Sequence, residues 1–227
     1  MSSSLKPLTL WGDGGINPTK VAVILFELNL PFNTEKVLLA DIKKPEYTAI
    51  NPNGRLPALR DPNTGITLWE SGAIIEYLIE RYDTKHKLSF ERDTPEYYQT
   101  KQWLHFQMSG QGPYYGQASW FKMFEKEPIP AAIARYAGEV NRVSGVLNTF
   151  LEKQAKDAGS DGNGPWLVGQ KVTYADLAFL PWQWLISVAL TKEEYDIEKY
   201  PAMKSWLDRM EAREGVKAGQ AIMKRLD

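Results

Sequence analysis

Short β-prone runs and helical spacings alternate as far as Arg81, and only helical spacings follow. Pro7-Leu-Thr-Leu-Trp11 predicts a strand and Gly12-Asp-Gly-Gly-Ile16 a turn. Asn17-Pro18 predicts a helix start, because Asn is a favoured N-cap and Pro is favoured at the first helical position. Lys20 to Asn29 then reads as a mostly buried helix, Phe32 to Leu39 as a strand, and Asp41 to Ala49 as a weakly helical or irregular link. Asn51-Pro-Asn-Gly54 is a turn cluster, Arg55-Leu-Pro-Ala-Leu-Arg60 follows it, and Pro62 to Gly65 is a hairpin turn. Ile66 to Trp69 reads as a strand, and Glu70-Ser71 opens a helix running to Arg81. A βαβ unit followed by ββα predicts a thioredoxin-like α/β domain, a mixed four-stranded sheet with helices, over residues 5–83.

Residues 84–94 are polar and charged, as in a linker. Beyond them, Pro95 to Ser109 predicts a helix ended by Gly110-Gln-Gly-Pro113. Pro130 to Lys156 predicts a long helix carrying Ile133, Tyr136, Val140, Val143 and Leu147 at helical spacing. Asp157 to Gly164 reads as a Gly-rich loop, Thr173 to Val188 is nearly continuous in apolar residues, and Tyr200-Pro201 starts a helix with Trp206 and Met210 on one face. An all-α domain over 95–227 is expected.

Composition narrows the chemistry. There are no cysteines among the 227 residues, so disulfides, thiolate metal sites and nucleophilic sulfur of the protein's own are excluded. His86 and His105 stand apart in sequence and supply neither a histidine metal site nor a catalytic triad; no metal is expected. The formal charge of −1 argues against nucleic acid. Met1 to Lys6 lacks the apolar core of a signal peptide, and no apolar run approaches the ~20 residues of a membrane span. A cytoplasmic location away from membranes is the expectation.

Four local patterns together resemble the cytosolic glutathione transferases. Leu56-Pro57 follows the turn cluster; Trp69-Glu70-Ser71-Gly-Ala-Ile74 comes twelve residues after it; Thr173-Tyr-Ala-Asp176 precedes Leu177-Ala-Phe-Leu180; and Gly15-Ile-Asn17-Pro-Thr-Lys-Val21 leads into the first helix. Read alone, Leu56-Pro57 is an ordinary strand start and Ser71 and Asn17 are helix caps. Thr173 and Asp176 form a capping box, a structural device. Asn17, where other transferases place Tyr, Ser or Cys, resembles the bacterial nu class and the fungal branch of the yeast nitrogen-catabolite regulator. Trp103 to Gly110, Tyr115 to Ala118 and Pro165 to Thr173 are similar to the fungal side.

The resemblance implies a glutathione transferase that binds and activates the glutathione thiol, with glutathione as co-substrate. It implies a cis bond at Pro57, with Leu56 backbone groups pairing with the cysteinyl part of the tripeptide. Glu70 and Ser71 would take the γ-glutamyl end, Asn17 would stand beside the sulfur as the catalytic residue, and Arg55, Lys43 and Lys44 would reach the glycyl carboxylate. The acceptor pocket in the helical domain would draw on Trp11, Trp103, Phe106, Tyr114, Tyr115, Trp120 and Phe121, aromatic residues that read equally well as core. Disulfide reduction or deglutathionylation with some conjugation is implied, on a hydrophobic or disulfide second substrate, in a homodimer. A carrier of hydrophobic ligands, or a regulator that keeps the glutathione site without useful turnover, is the alternative.

Overall fold

The computed structural model describes residues 5–157 and 164–223; the Gly-rich loop expected at 157–164 falls mainly outside the described residues. Contacts divide the chain into two units, Met1–Lys87 with Arg213–Asp227, and Leu88–Ala212.

The first unit is built on a sheet of order β2-β1-β3-β4, from β1 (Leu8–Trp11), β2 (Phe32–Glu35), β3 (Ala58–Asp61) and β4 (Ile66–Trp69). β1 and β2 are parallel, with Leu8 opposite Phe32; the other pairings are antiparallel, with Leu10 opposite Leu59 and Leu59 opposite Leu68. Alternation places Leu8 and Leu10 fully inside. Helices α1 (Ile16–Glu27) and α3 (Ser71–Tyr82) pack side by side against the sheet, while α2 (Pro45–Thr48) is the short link expected between strands. β2 ends at Glu35, short of Leu39, because the chain leaves the sheet into turns.

One reading needs correction. The sequence places residues 213–227 with the helical domain, but α10 (Glu214–Met223) packs along α1 in the first unit. Glycine makes this approach possible: a Cβ on Gly219 would fall 2.4 Å from Val23 Cγ2, and one on Gly215 2.9 Å from Glu27 Cγ. Arg213 also clasps the buried Glu27 carboxylate, donating from Nε at 2.9 Å and Nη2 at 2.7 Å. This fixes the start of α10 against the end of α1. With the sheet, α3 and α10 all upon it, α1 buries Val21 to Leu25 without a break.

The second unit is helical: α4 (Pro95–Phe106), α5 (Gly112–Met123), α6 (Pro130–Asp157), α7 (Tyr174–Ala178), α8 (Leu180–Ala189) and α9 (Pro201–Glu211). Gly110-Gln-Gly-Pro113 does not end the first of these. A π-helical segment, Gln107–Gln111, carries the chain from α4 straight into α5. The Pro113 ring clash is avoided because the register changes there, and Gln107 Nε2 donates to Gln111 Oε1 at 2.9 Å across the wider turn. No described helix is long and apolar enough to cross a membrane.

Candidate functional site

Helix α3 opens unusually. Its N-cap residue, Glu70, has φ 70° and ψ 112° and gives the helix no side-chain cap. A non-glycine residue at positive φ costs about 1–3 kcal/mol and persists only where its surroundings hold it. The turn leads into a twelve-residue helix whose first N–H groups carry the positive end of the helix dipole. Ser71, the first helical residue, is only 4 % exposed. Beneath it lies Lys20 of α1, 1 % exposed, whose Nζ donates to Ser71 Oγ at 2.9 Å. Burial pulls the Lys20 ammonium down to about 7 against the opposing pull of the Glu70 charge.

The Leu56–Pro57 peptide is cis. The carbonyl just before it, that of Arg55, is held by two donors, Tyr47 Oη at 2.9 Å and Asn51 Nδ2 at 2.6 Å. Asn51 also receives Asn53 N–H, so the turn cluster and α2 brace the strand end at which Pro57 stands. Lys43 reaches the same turn, its Nζ donating to Asn53 O at 2.8 Å, and the Arg55 side chain is exposed. Lys44 pairs with Asp41 at 2.6 Å and lines a cavity of about 460 Å³ with Trp11, Glu35, Lys36, Tyr47 and Ile50.

Asn17 is not the helix cap. Gly15, at φ 89°, takes that place; α1 begins at Ile16, and the Gly15 carbonyl accepts from Thr19 N–H at 3.1 Å and from Thr19 Oγ1 at 2.7 Å. Pro18 fits inside the first turn because its missing N–H would have had no helical partner there. Gly12 makes room for this turn, since a Cβ on it would sit 2.7 Å from Pro18 Cγ. Asn17 is half-buried and released from capping duty.

Family models for the glutathione S-transferase N-terminal domain and C-terminal domain match residues 17–81 and 118–218. The glutathione S-transferase-like protein gedE of Aspergillus terreus is 57 % identical over 216 residues, spanning 95 % of both chains. This chain belongs to the glutathione transferase family. Among solved structures, the glutathione transferase URE2P6 of Phanerochaete chrysosporium in complex with oxidized glutathione is 40 % identical, with TM-score 0.88 and all of both chains covered. Ure2p in complex with S-hexylglutathione is 35 % identical, with TM-score 0.86, covering 96 % of this chain and 99 % of that one.

Glu70, Ser71, Leu56 and Pro57 all belong to the sheet-bearing unit, Leu56 and Pro57 in the loop just before β3, Glu70 and Ser71 at the start of α3. The aromatic residues divide. Tyr115 is fully buried and hydrogen-bonded to Ser144 at 3.1 Å, so it is core of the helical unit and not a pocket wall. Trp103 is mostly buried edge-on against Phe106 and Phe150, and Phe106 leans on Phe179. Tyr114 and Phe121 are half-buried around Tyr136, with Phe121 stacked on it at 5.6 Å, while Trp120 is exposed beside Phe124. Trp11 belongs to the sheet-bearing unit, at the end of β1.

The capping box at α7 is complete. Asp176 accepts from Thr173 N–H at 2.8 Å and Thr173 Oγ1 at 2.5 Å, and also from Leu167 N–H at 3.0 Å and Trp206 Nε1 at 2.8 Å. Burial still pushes its carboxyl above the usual range. Among the described residues no cluster of His, Asp and Glu is placed to hold a metal.

Sequence reasoning passed over Lys20, Tyr47 and Asn51. For Lys20 a signal existed: a lysine one position ahead of an unbroken apolar run, with Val23 and Ile24 completing its helical face, is a lysine aimed inward.

Proposed function

We propose that the sheet-bearing unit binds glutathione and that the protein uses the bound thiolate to reduce small disulfides and glutathionyl mixed disulfides, with conjugation to electrophiles as a second activity. The observation that carries this reading is the α3 N-terminus, where Ser71 rests on a buried lysine and the N-cap residue leaves the helix without a side-chain cap. Such an end favours the γ-glutamyl carboxylate, and Glu70 is adjacent for the ligand's ammonium. Leu56, before cis Pro57, offers main-chain groups to the cysteinyl residue. Arg55, Lys43 and Lys44 are assigned to the glycyl carboxylate, with Lys43 acting through the turn it braces.

A free thiol with a pKa of about 8.5 is mostly protonated at neutral pH, and the thiolate is the nucleophile. Asn17 donates its amide N–H to the sulfur. An amide is no base, so the effect is electrostatic and positional. With no cysteine in the protein, both reacting sulfurs come from ligands. The glutathione thiolate attacks the glutathionyl sulfur of the mixed disulfide. The S–S bond of oxidised glutathione forms as the old one breaks, and the electron pair leaves on the substrate sulfur, which takes a proton from water. The oxidised glutathione bound in URE2P6 supports a disulfide reading for this chain. A cytoplasmic homodimer is the proposed assembly, with the exposed Ile66 and Trp69 of edge strand β4 available to a partner.

The test is steady-state reduction of a small glutathionyl mixed disulfide by glutathione, in wild type, Asn17→Ala and Ser71→Ala. Turnover lost in both folded variants is the expected result. A wild type that binds glutathione without turnover sinks the reductase reading and leaves a carrier or regulator.

A further inference from the structure

Lys20 occupies a core position on α1. Its neighbours Thr19 and Val21 to Leu25 are all fully buried. Desolvating an ammonium is costly, so a fold carries one inside only with compensation. The geometry supplies a use: the ammonium lies directly behind the hydroxyl at the mouth of α3.

We propose that Lys20 is a positioning residue, which sets the direction of the Ser71 hydroxyl and supplies the positive charge behind the carboxylate that Ser71 receives. The inference rests on the glutathione reading of that helix N-terminus and names what governs it.

The reasoning is one of donors and acceptors. A charged lysine has three N–H donors and no acceptor. Facing it at 2.9 Å, Ser71 Oγ must accept, and its own proton turns away from Lys20, in the sense needed to donate to a ligand carboxylate. A neutral amine can accept instead, and the hydroxyl proton can then turn inward. The same protonation step removes the positive charge behind the site. Lys20 is thus a switch for both effects, and its lowered position near neutrality places the step in the working range.

The charged groups on the elements packed against α1 are Glu70 at the start of α3, Glu76, Glu80 and Arg81 along α3, and Arg213, Glu214 and Lys217 at α10; Glu27 lies on α1 itself. Glu70 is the one whose charge acts on Lys20, favouring the protonated form. A carboxylate docked at Ser71 adds to that pull. Binding therefore takes up a proton wherever Lys20 of the unliganded protein is neutral, and affinity falls as pH rises through its unliganded value.

S-hexylglutathione is the probe, because it has no thiol to titrate. Calorimetry in buffers of different ionisation enthalpy, from about pH 6 to about pH 8.5, reads affinity and proton uptake together. In wild type, affinity should be flat below about pH 6.5 and fall above about pH 7, by up to about tenfold per pH unit, with matching proton uptake. Lys20→Met should bind about tenfold or more weakly at the acid end, as for loss of a charge-assisted contact. It should keep only the uptake that belongs to the ligand's own ammonium. Lys20→Arg, charged throughout, should restore the acid-end affinity and lose the decline.

In case Lys20→Met does not fold, the wild type alone decides by NMR of lysine Cε carbons. One lysine should titrate near neutrality and move upward when the probe binds. Binding without such a lysine, or identical proton uptake in wild type and Lys20→Met, overturns the role of Lys20 and leaves the glutathione site standing. A wild type that does not bind the probe overturns both.

Discussion

Helix α7 begins with its donors taken up by its own chain: Asp176 and Thr173 exchange hydrogen bonds, and Leu167 N–H and Trp206 Nε1 close on the same carboxylate. Helix α3 begins with a residue at positive φ, no side-chain cap and a lysine buried under its first hydroxyl. The two helix starts each use a hydroxyl residue and an acid. In α7 the acid comes three residues after the hydroxyl and folds back; in α3 it comes one residue before and cannot reach the helix N–H groups as a cap. The spacing decides whether the acid caps the helix N-terminus.

The comparison is broken most severely at Asp176. Asp176→Ala orphans several buried donors and should lower stability by about 3–5 kcal/mol in chemical denaturation, while turnover per folded molecule is unchanged. Thr173→Ala removes the cap alone and should cost about 1–2 kcal/mol.

The start of α3 should behave in the opposite sense. Ser71→Ala takes away the hydroxyl that accepts from buried Lys20 and should cost about 1–3 kcal/mol, yet its larger effect is on glutathione binding, weakened about tenfold or more and measured by calorimetry. Ser71→Asp sharpens the contrast. A fixed carboxylate at the dipole end over Lys20 should stabilise the fold by about 0.5–1 kcal/mol and abolish glutathione binding. A variant that gained stability and kept affinity would remove the ligand carboxylate from this position.

Stability against pH probes the same lysine, in steps of no more than about 1 kcal/mol for each pH unit. The folded pKa of Lys20 is lowered to about 7, below its unfolded value, so between the two the unfolded chain binds more protons. Stability should rise with pH from about 7 toward 10, by at most about 1 kcal/mol per pH unit, and Lys20→Met should lose that slope. A wild-type curve that fell over this range would contradict a destabilising ammonium beneath the start of α3.

Local patterns made most of this legible. The strand–turn–strand spacing around Pro62 to Gly65 announced β3 and β4, Glu70-Ser71 the open helix start, and Thr173-Tyr-Ala-Asp176 the closed one. What escaped was non-local. The Asn17-Pro18 pair has the form of a helix start, but Gly15 can turn a corner that Asn17 need not, and the helix begins earlier. The glycines before Pro113 read as a stop, yet a change of helical register absorbs them. The partner of α10 depends on Gly215 and Gly219 meeting Val23 and Glu27, a match across nearly two hundred residues that no window of sequence contains.

That match reverses the order in which the molecule can be completed during synthesis. The sheet and α1 leave the ribosome first, but Val23 and Glu27 wait for residues 213–223, which follow the whole stretch 88–212. The helical unit, translated second, has all of its own chain available first. A nascent chain halted between α9 and α10 carries the strands of the sheet-bearing unit with one face of α1 still bare to the chaperones around it.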